Sequence, residues 1–236
     1  MKINKQNNIY TIVYIVILVV IVGTVLSFTS MSLRSRQTEN ASADKMRQIL
    51  AAVHLSSADD VIGLYKSTVI GSLVVNSEGD SIGSEAFDID VAKENKKALD
   101  RRLLPVYIAR IDGRVKYILP VSGNGLWGPI WGYVSFDDDG TTIYGAYFAH
   151  EGETPGLGAE IEKPAFSNQF EGKQVFKSGI FLPVNVLKAG TKPQNGEDYV
   201  DAVSGGTITS KGVASMLDTG LRPYEKFLSK VSDNNI

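Results

Sequence analysis

Leu104-Pro105-Val106-Tyr107-Ile108-Ala109-Arg110-Ile111, then Asp112-Gly113, then Arg114-Val115-Lys116-Tyr117-Ile118-Leu119-Pro120 is the stretch on which the fold turns. β-branched and aromatic residues crowd both arms, and an Asp-Gly pair between two such runs marks a two-residue hairpin turn. The same pattern returns at once. Trp131 to Phe136, the turn Asp137 to Gly140, and Thr142 to Phe148 read as a second hairpin. Val175 to Ile180 and Asn185 to Lys188 are further strand candidates. Strands joined by tight turns pair antiparallel, with helices set to the side of the sheet, so the expected class is α+β: a mostly antiparallel twisted sheet with flanking helices.

Working back toward the N-terminus, Val91 to Leu99 is a weak helix candidate and the polar, Gly-bearing stretch Asn76 to Asp88 reads as loop. Asp44 to Leu55 reads as a helix, with Met46, Ile49, Leu50 and Val53 at spacings of three and four and His54 near its end. Gln37 to Asp44 is short and polar, as a juxtamembrane linker would be. Before it, Ile9 to Phe28 is almost wholly apolar, and no charge falls between Lys5 and Arg34. A bilayer core of about 30 Å needs roughly 20 apolar residues at helical rise, so this run is long enough to span one. A cleaved signal peptide would carry a shorter apolar region and a small-residue cleavage site; Phe28-Thr29-Ser30-Met31 offers none. Lys2 and Lys5 before the span are matched by Arg34, Arg36, Lys45 and Arg47 after it, so basic residues alone leave its orientation open. The expected division is a stub and transmembrane helix over 1–35 and a folded domain over 36–236.

Composition narrows the chemistry. The 236 residues carry 24 Lys+Arg against 26 Asp+Glu, a net charge of −2, without the basic excess that nucleic-acid binding calls for. There is no cysteine, which removes disulfides, thiolate metal sites, cysteine nucleophiles and thioether-linked cofactors. Two histidines, His54 and His150, are too few and too far apart for a metal set, and Asp137-Asp138-Asp139 lacks calcium-loop spacing and reads as a solvated hairpin tip.

Two segments remain. His150-Glu151-Gly152-Glu153-Thr154-Pro155-Gly156-Leu157-Gly158 follows a strand directly; its glycines allow positive φ or close approach to a ligand, and a plain strand-to-loop turn would use the same residues. Asp201 to Ser210, followed by Lys211 to Leu217, is a Gly-rich turn opening a helix whose N-cap would be Thr209 or Ser210. Such a helix start is either a phosphate site or simply a capped helix with a flexible lead-in.

Ser204-Gly205-Gly206-Thr207-Ile208-Thr209-Ser210 resembles the S-G-A-T-x-T-S signature of FMN-binding domains that carry flavin on a threonine through a phosphoester. Glu153-Thr154-Pro155-Gly156-Leu157-Gly158 matches that family's E-T-P-G-L-G loop. Gly125-Leu126-Trp127-Gly128, together with the helix Ile49 to Leu55 behind an N-terminal anchor, is similar to the flavin-bearing C subunits of the sodium-translocating NADH:quinone reductases. The resemblance covers essentially the whole chain and departs at Gly206, where alanine is usual. It implies covalent FMN on Thr209, with Ser204, Gly205, Thr207 and Lys211 on the phosphate side. It places Glu153, Thr154, Gly156, Leu157 and Trp127 against the flavin, Leu157 and Trp127 shielding one face of the ring. A flavin transferase using FAD and Mg2+ would install the group. The protein would relay electrons with the other subunits of a bacterial inner-membrane complex, its folded domain on the extracytoplasmic side. The equivalent flavin subunit of the Rnf ferredoxin:NAD+ oxidoreductase shares both flavin motifs. A membrane-anchored scaffold without flavin would use both segments merely as turns.

Overall fold

The computed structural model describes residues 8–55, 59–193 and 195–233; Lys2 and Lys5, part of the orientation count above, lie outside them. In chain order the elements are α1 (Asn8–Ala51), α2 (Val61–Thr68), β1 (Val69–Val75), β2 (Ser81–Gly83), α3 (Val91–Glu94), β3 (Leu104–Ile111), β4 (Arg114–Asn124), β5 (Pro129–Phe136) and β6 (Ile143–His150). There follow α4 (Pro164–Ser167), β7 (Phe176–Lys177), β8 (Ile180–Phe181), β9 (Asn185–Leu187), β10 (Tyr199–Asp201), α5 (Thr207–Leu221) and α6 (Glu225–Ser232). Six strands form one antiparallel sheet in the order β2-β1-β3-β4-β5-β6. The fold is the α+β arrangement that the two hairpins imply.

The Asp112-Gly113 turn has positive φ at both residues (49° and 79°), the backbone that a two-residue turn needs to match strand twist, and Ile111 pairs with Arg114 across it. The second hairpin closes over Asp137–Gly140. There Asp139 Oδ1 accepts the backbone N–H groups of Thr141 and Thr142, both at 2.8 Å. Asp137 is not a freely solvated tip residue: it pairs with the buried Lys116, whose ammonium also lies 4.2 Å above the Tyr144 ring.

Alternation along the strands sends successive side chains to opposite faces, and both faces are covered. Val106, Leu119, Val121, Val134 and Phe148 join Val213, Met216, Leu217 and Leu221 of α5 and Phe227 of α6 in one core. Their neighbours Tyr107, Ile118 and Tyr133 face the other way and pack with Ile49, Ala52 and Val53. That second layer explains why a short apolar helix follows the anchor: it covers the sheet's back.

The chain divides into two compact units between Lys45 and Met46. Residues 9–41 of α1 are exposed, and this helix is long and apolar enough to cross a membrane. Several local expectations differ from the structure. Gln37–Asp44 is helical rather than an irregular linker, because no Gly or Pro between Gln37 and Ala51 breaks the run. The helix read over Asp44–Leu55 ends at Ala51; His54 lies beyond it with φ 63° and its Nε2 3.0 Å from the Tyr144 carbonyl oxygen. Asp90 caps only the four-residue α3, and the rest of the Val91–Leu99 candidate is not helical. Asn76–Asp88 contains the short β2. Ser178 and Gly179, with φ 52° and 79°, split the expected Val175–Ile180 strand into β7 and β8, a miniature hairpin.

Candidate functional site

Three connections meet where α5 begins. The first is the β4–β5 turn, Gly125–Gly128, closed by the Gly125 N–H on the Gly128 carbonyl at 2.8 Å. The second is the loop after β6, residues 151–157, which runs into a 3-10 turn at Gly158–Glu162. The third is the reversal Val203–Gly206, in which the Gly206 N–H returns to the Val203 carbonyl at 3.1 Å and Gly205 takes φ 74°. α5 is laid across β4 by small residues: a Cβ on Gly123 would strike Met216, and one on Gly212 would strike the Asn124 carbonyl.

The helix starts at Thr207 with Gly206 as its N-cap, and no side chain caps it. Neither Thr209 nor Ser210 is the N-cap, because both hydroxyls are engaged elsewhere. Ser210 Oγ accepts the Val203 N–H at 3.0 Å, fastening the turn to the helix. Thr209 Oγ1 donates to Glu153 Oε2 at 2.5 Å. The N–H groups of Thr207, Ile208 and Thr209 therefore sit at the positive end of α5 without an intrahelical acceptor, an arrangement that suits an anion.

Glu153 is the centre of the cluster. Only 5% of its surface is exposed, and Thr209 is 1% exposed. Oε1 accepts the Trp127 N–H at 2.8 Å, and the Leu126 N–H also bonds the carboxylate. Burial works against ionisation here, but the Thr209 hydroxyl and the two backbone donors outweigh it and hold the carboxyl below its ordinary range. The Glu153 N–H in turn donates to His150 Nδ1 at 3.2 Å, and His150 Nε2 lies 3.8 Å from Glu162 Oε2. Gly158 is wedged against both ends of the Glu153–Thr209 bond, where a Cβ would collide with Glu153 Oε2 and Thr209 Oγ1.

The other residues singled out by sequence are exposed around this pair. Thr154-Pro155-Gly156-Leu157 is a β-turn with Gly156 at φ 76° and the Leu157 N–H on the Thr154 carbonyl at 3.1 Å. Leu157 is 44% exposed and lies over Gly205; Trp127 is 68% exposed. Ser204, Gly205, Thr207 and Lys211 are all exposed, and Lys211 makes no ion pair among the described residues. The exposed set thus shares a neighbourhood, while the direct side-chain bond joins Thr209 to Glu153 alone. Three participants were not among the sequence candidates: His150, the Leu126 N–H and Gly158. The first and last stand at the ends of the quoted loop; the Leu126 donor carries no side-chain signal.

A family model for the FMN-binding domain matches residues 125–222, the span that holds all three connections. The C subunit of the Na(+)-translocating NADH-quinone reductase from Vibrio vulnificus (strain YJ016) is 32% identical over 246 residues, covering 96% of each chain. The crystal structure of the same protein from Parabacteroides distasonis is 48% identical, with a TM-score of 0.79, over 84% of this chain and 97% of that one. Shewanella oneidensis NqrC superposes with a TM-score of 0.67 at 26% identity, over 82% of this chain and 99% of that one. With likeness running from the N-terminal helix through the Glu153–Thr209 pair, this chain belongs to the NqrC family, the C subunits of the Na(+)-translocating NADH-quinone reductases.

Proposed function

We propose that this chain is the FMN-carrying subunit of a sodium-translocating NADH:quinone reductase, with the flavin held as a phosphoester on Thr209 Oγ1. The observation that carries this reading is the Thr209 hydroxyl itself, fixed by a buried carboxylate in the uncapped first turn of α5. A phosphoryl group there would meet the free backbone N–H groups of that turn, with the helix dipole adding about 0.3–1 kcal/mol. Ser204, Thr207 and the exposed Lys211 supply further donors at the same end of the helix. The exposed apolar side chains of Trp127, Leu157, Leu126 and Ile208 offer surface for a planar ring and exclude water from it. When bound, FMN supplies the electron-transfer chemistry, and the protein supplies attachment, orientation and local electrostatics. The apolar part of α1 anchors the protein in the bacterial inner membrane, with the folded domain on the extracytoplasmic side. The other subunits of the complex are its redox partners, and a flavin transferase consuming FAD with Mg2+ matures it.

The test is direct. Full-length chain co-expressed with a flavin transferase should fluoresce under ultraviolet light on a denaturing gel and gain the mass of one esterified FMN. Thr209→Ala should lose both signals. A wild-type chain that stays unmodified, or a Thr209→Ala chain that is still labelled, overturns the assignment.

A further inference from the structure

The buried carboxylate has no evident part in holding a flavin. A phosphodiester on Thr209 Oγ1 is an anion, and Glu153 Oε2 lies 2.5 Å from that oxygen; like charges so placed repel strongly in a site this dry. The same placement suits the moment before the ester exists. A threonine hydroxyl is a weak nucleophile near neutral pH and needs an adjacent base within hydrogen-bond reach.

We infer that Glu153 is the proton acceptor for Thr209 during flavinylation, an inference that rests on the proposed esterification. In this step Thr209 Oγ1 forms a bond to the phosphorus on the riboflavin side of a flavin dinucleotide. The bond from that phosphorus to the bridging pyrophosphate oxygen breaks, and AMP leaves with the bond's electron pair. The hydroxyl proton passes to Glu153 Oε2. No oxidation change occurs, and the dinucleotide and Mg2+ arrive with the transferase. The proton transfer also removes the charge conflict, since a neutral carboxyl beside a phosphodiester is a donor rather than a second anion.

The surroundings fit a base held ready. Its second oxygen is pinned by the Trp127 N–H and its backbone by His150, so the carboxylate cannot swing away from Thr209 without losing both bonds. The absence of a side chain at Gly158 keeps the pair in contact. The charged and titratable neighbours are few: His150 at the end of β6, Glu160 and Glu162 on the 3-10 turn, the exposed Glu151 on the loop, and the exposed Lys211 on α5. The 125–128 turn contributes backbone donors only.

The experiment uses full-length chain purified in detergent without a transferase, then incubated with purified transferase, FAD and Mg2+. Intact mass against time gives the initial rate, measured from pH 6 to 9 and over a range of acceptor-chain concentrations. Glu153→Gln preserves an oxygen for the Trp127 N–H but cannot accept a proton. It should be flavinylated about 100-fold more slowly at pH 7. The ratio of its rate to that of wild type should climb with pH as hydroxide replaces the missing base, a ratio in which the transferase's own titrations cancel. Glu153→Asp, which keeps the base but retracts it, should fall in between. A Glu153→Gln rate within about threefold of wild type overturns the inference. So does a constant deficit at every pH, or a loss confined to the half-saturating acceptor concentration, since both describe recognition rather than proton transfer. A wild-type chain that gains no mass overturns the flavin reading itself, and this inference with it.

Discussion

Replacing Thr209 with Val in the unmodified protein isolates what its hydroxyl contributes to the fold. Both residues are β-branched and similar in volume, so helix propensity and packing change little while the donor to Glu153 is lost. A hydrogen bond to a charged group contributes about 1.5–3 kcal/mol net, and the carboxylate left behind is almost fully buried. Its other oxygen keeps the Trp127 and Leu126 donors, which places the expected cost near 2 kcal/mol, toward the lower part of that range. In a Glu153→Gln background the partner is neutral, and the same substitution should cost about 1 kcal/mol. The difference between the two costs is the coupling that charge adds. It should also depend on pH. Glu153 has a folded pKa held below its unfolded value, so its stabilisation is fully present above that unfolded value and is lost as pH falls through the folded one. The Thr209→Val penalty should therefore be constant from about pH 5 upward and shrink below about pH 4.3. Urea unfolding of full-length chain in detergent, followed by tryptophan fluorescence, is the assay. The protein has only two tryptophans: Trp127 lies at the site, and Trp131, on β5, donates its ring N–H to Gln48 at 2.9 Å. Equal penalties in the two backgrounds, or a penalty below about 0.5 kcal/mol at pH 7, would refute the claim that the hydroxyl serves an ionised carboxylate.

Two further outcomes follow from packing elsewhere. Gly158→Ala inserts a methyl group against Glu153 Oε2 and Thr209 Oγ1, so the pair must separate; overpacking of this kind costs about 1–3 kcal/mol, and the rate of mass gain with transferase should drop severely. Gly206→Ala is the matched comparison. Its Cβ would meet Val203 and the Gly158 Cα at 3.1–3.3 Å, with φ at −101°, so it should stay within about 1 kcal/mol of wild type by urea unfolding and remain a substrate for modification. Away from the site, Lys116→Met keeps the apolar stem but removes the ammonium from Asp137 and from the Tyr144 ring. Because the Asp137 side chain is 28% exposed, water relieves part of the stranded charge; the loss should be about 1–2 kcal/mol rather than the 3–5 of a fully buried pair, with flavinylation unchanged.

The hairpins were legible because each carries its own instruction. Alternating β-formers and an Asp-Gly pair determine strand, turn and register within some twenty residues, and no distant contact is needed to read them. β1 and α2 give no such signal: Ile62 and Ile70 are exposed, and their burial is irregular, because β1 is held by pairing with β3 rather than by an apolar face. β7 and β8 have two residues each, too short for any periodicity to appear. The anchor's continuation into the domain was obscured by composition, since a polar stretch within a helix and a polar linker look alike until the absence of Gly and Pro is weighed.

The site divides along the same line. Its motifs sit on local turns, and the positive φ values at Gly156 and Gly205 belong to short-range geometry that the residues themselves announce. What no local pattern announces is that the acid of one motif bonds the hydroxyl of the other, 56 residues later. That contact exists because β4, β5 and β6 are adjacent in the sheet and α5 lies on β4, which brings the ends of three connections to one place. By sequence alone Glu153 is one of several flavin contacts of equal standing. In the folded chain it is the buried residue among the loop candidates, while Thr154, Gly156 and Leu157 beside it are exposed. Burial of an ionised group demands partners, and the partners it has are two backbone donors and the one hydroxyl on which the chemistry depends. A carboxylate kept solely for stability would be served as well by a third backbone donor; tying it to the acceptor hydroxyl makes folding and readiness for modification depend on one bond. Substitutions at Glu153 should therefore separate the two only when they preserve the shape and remove the charge.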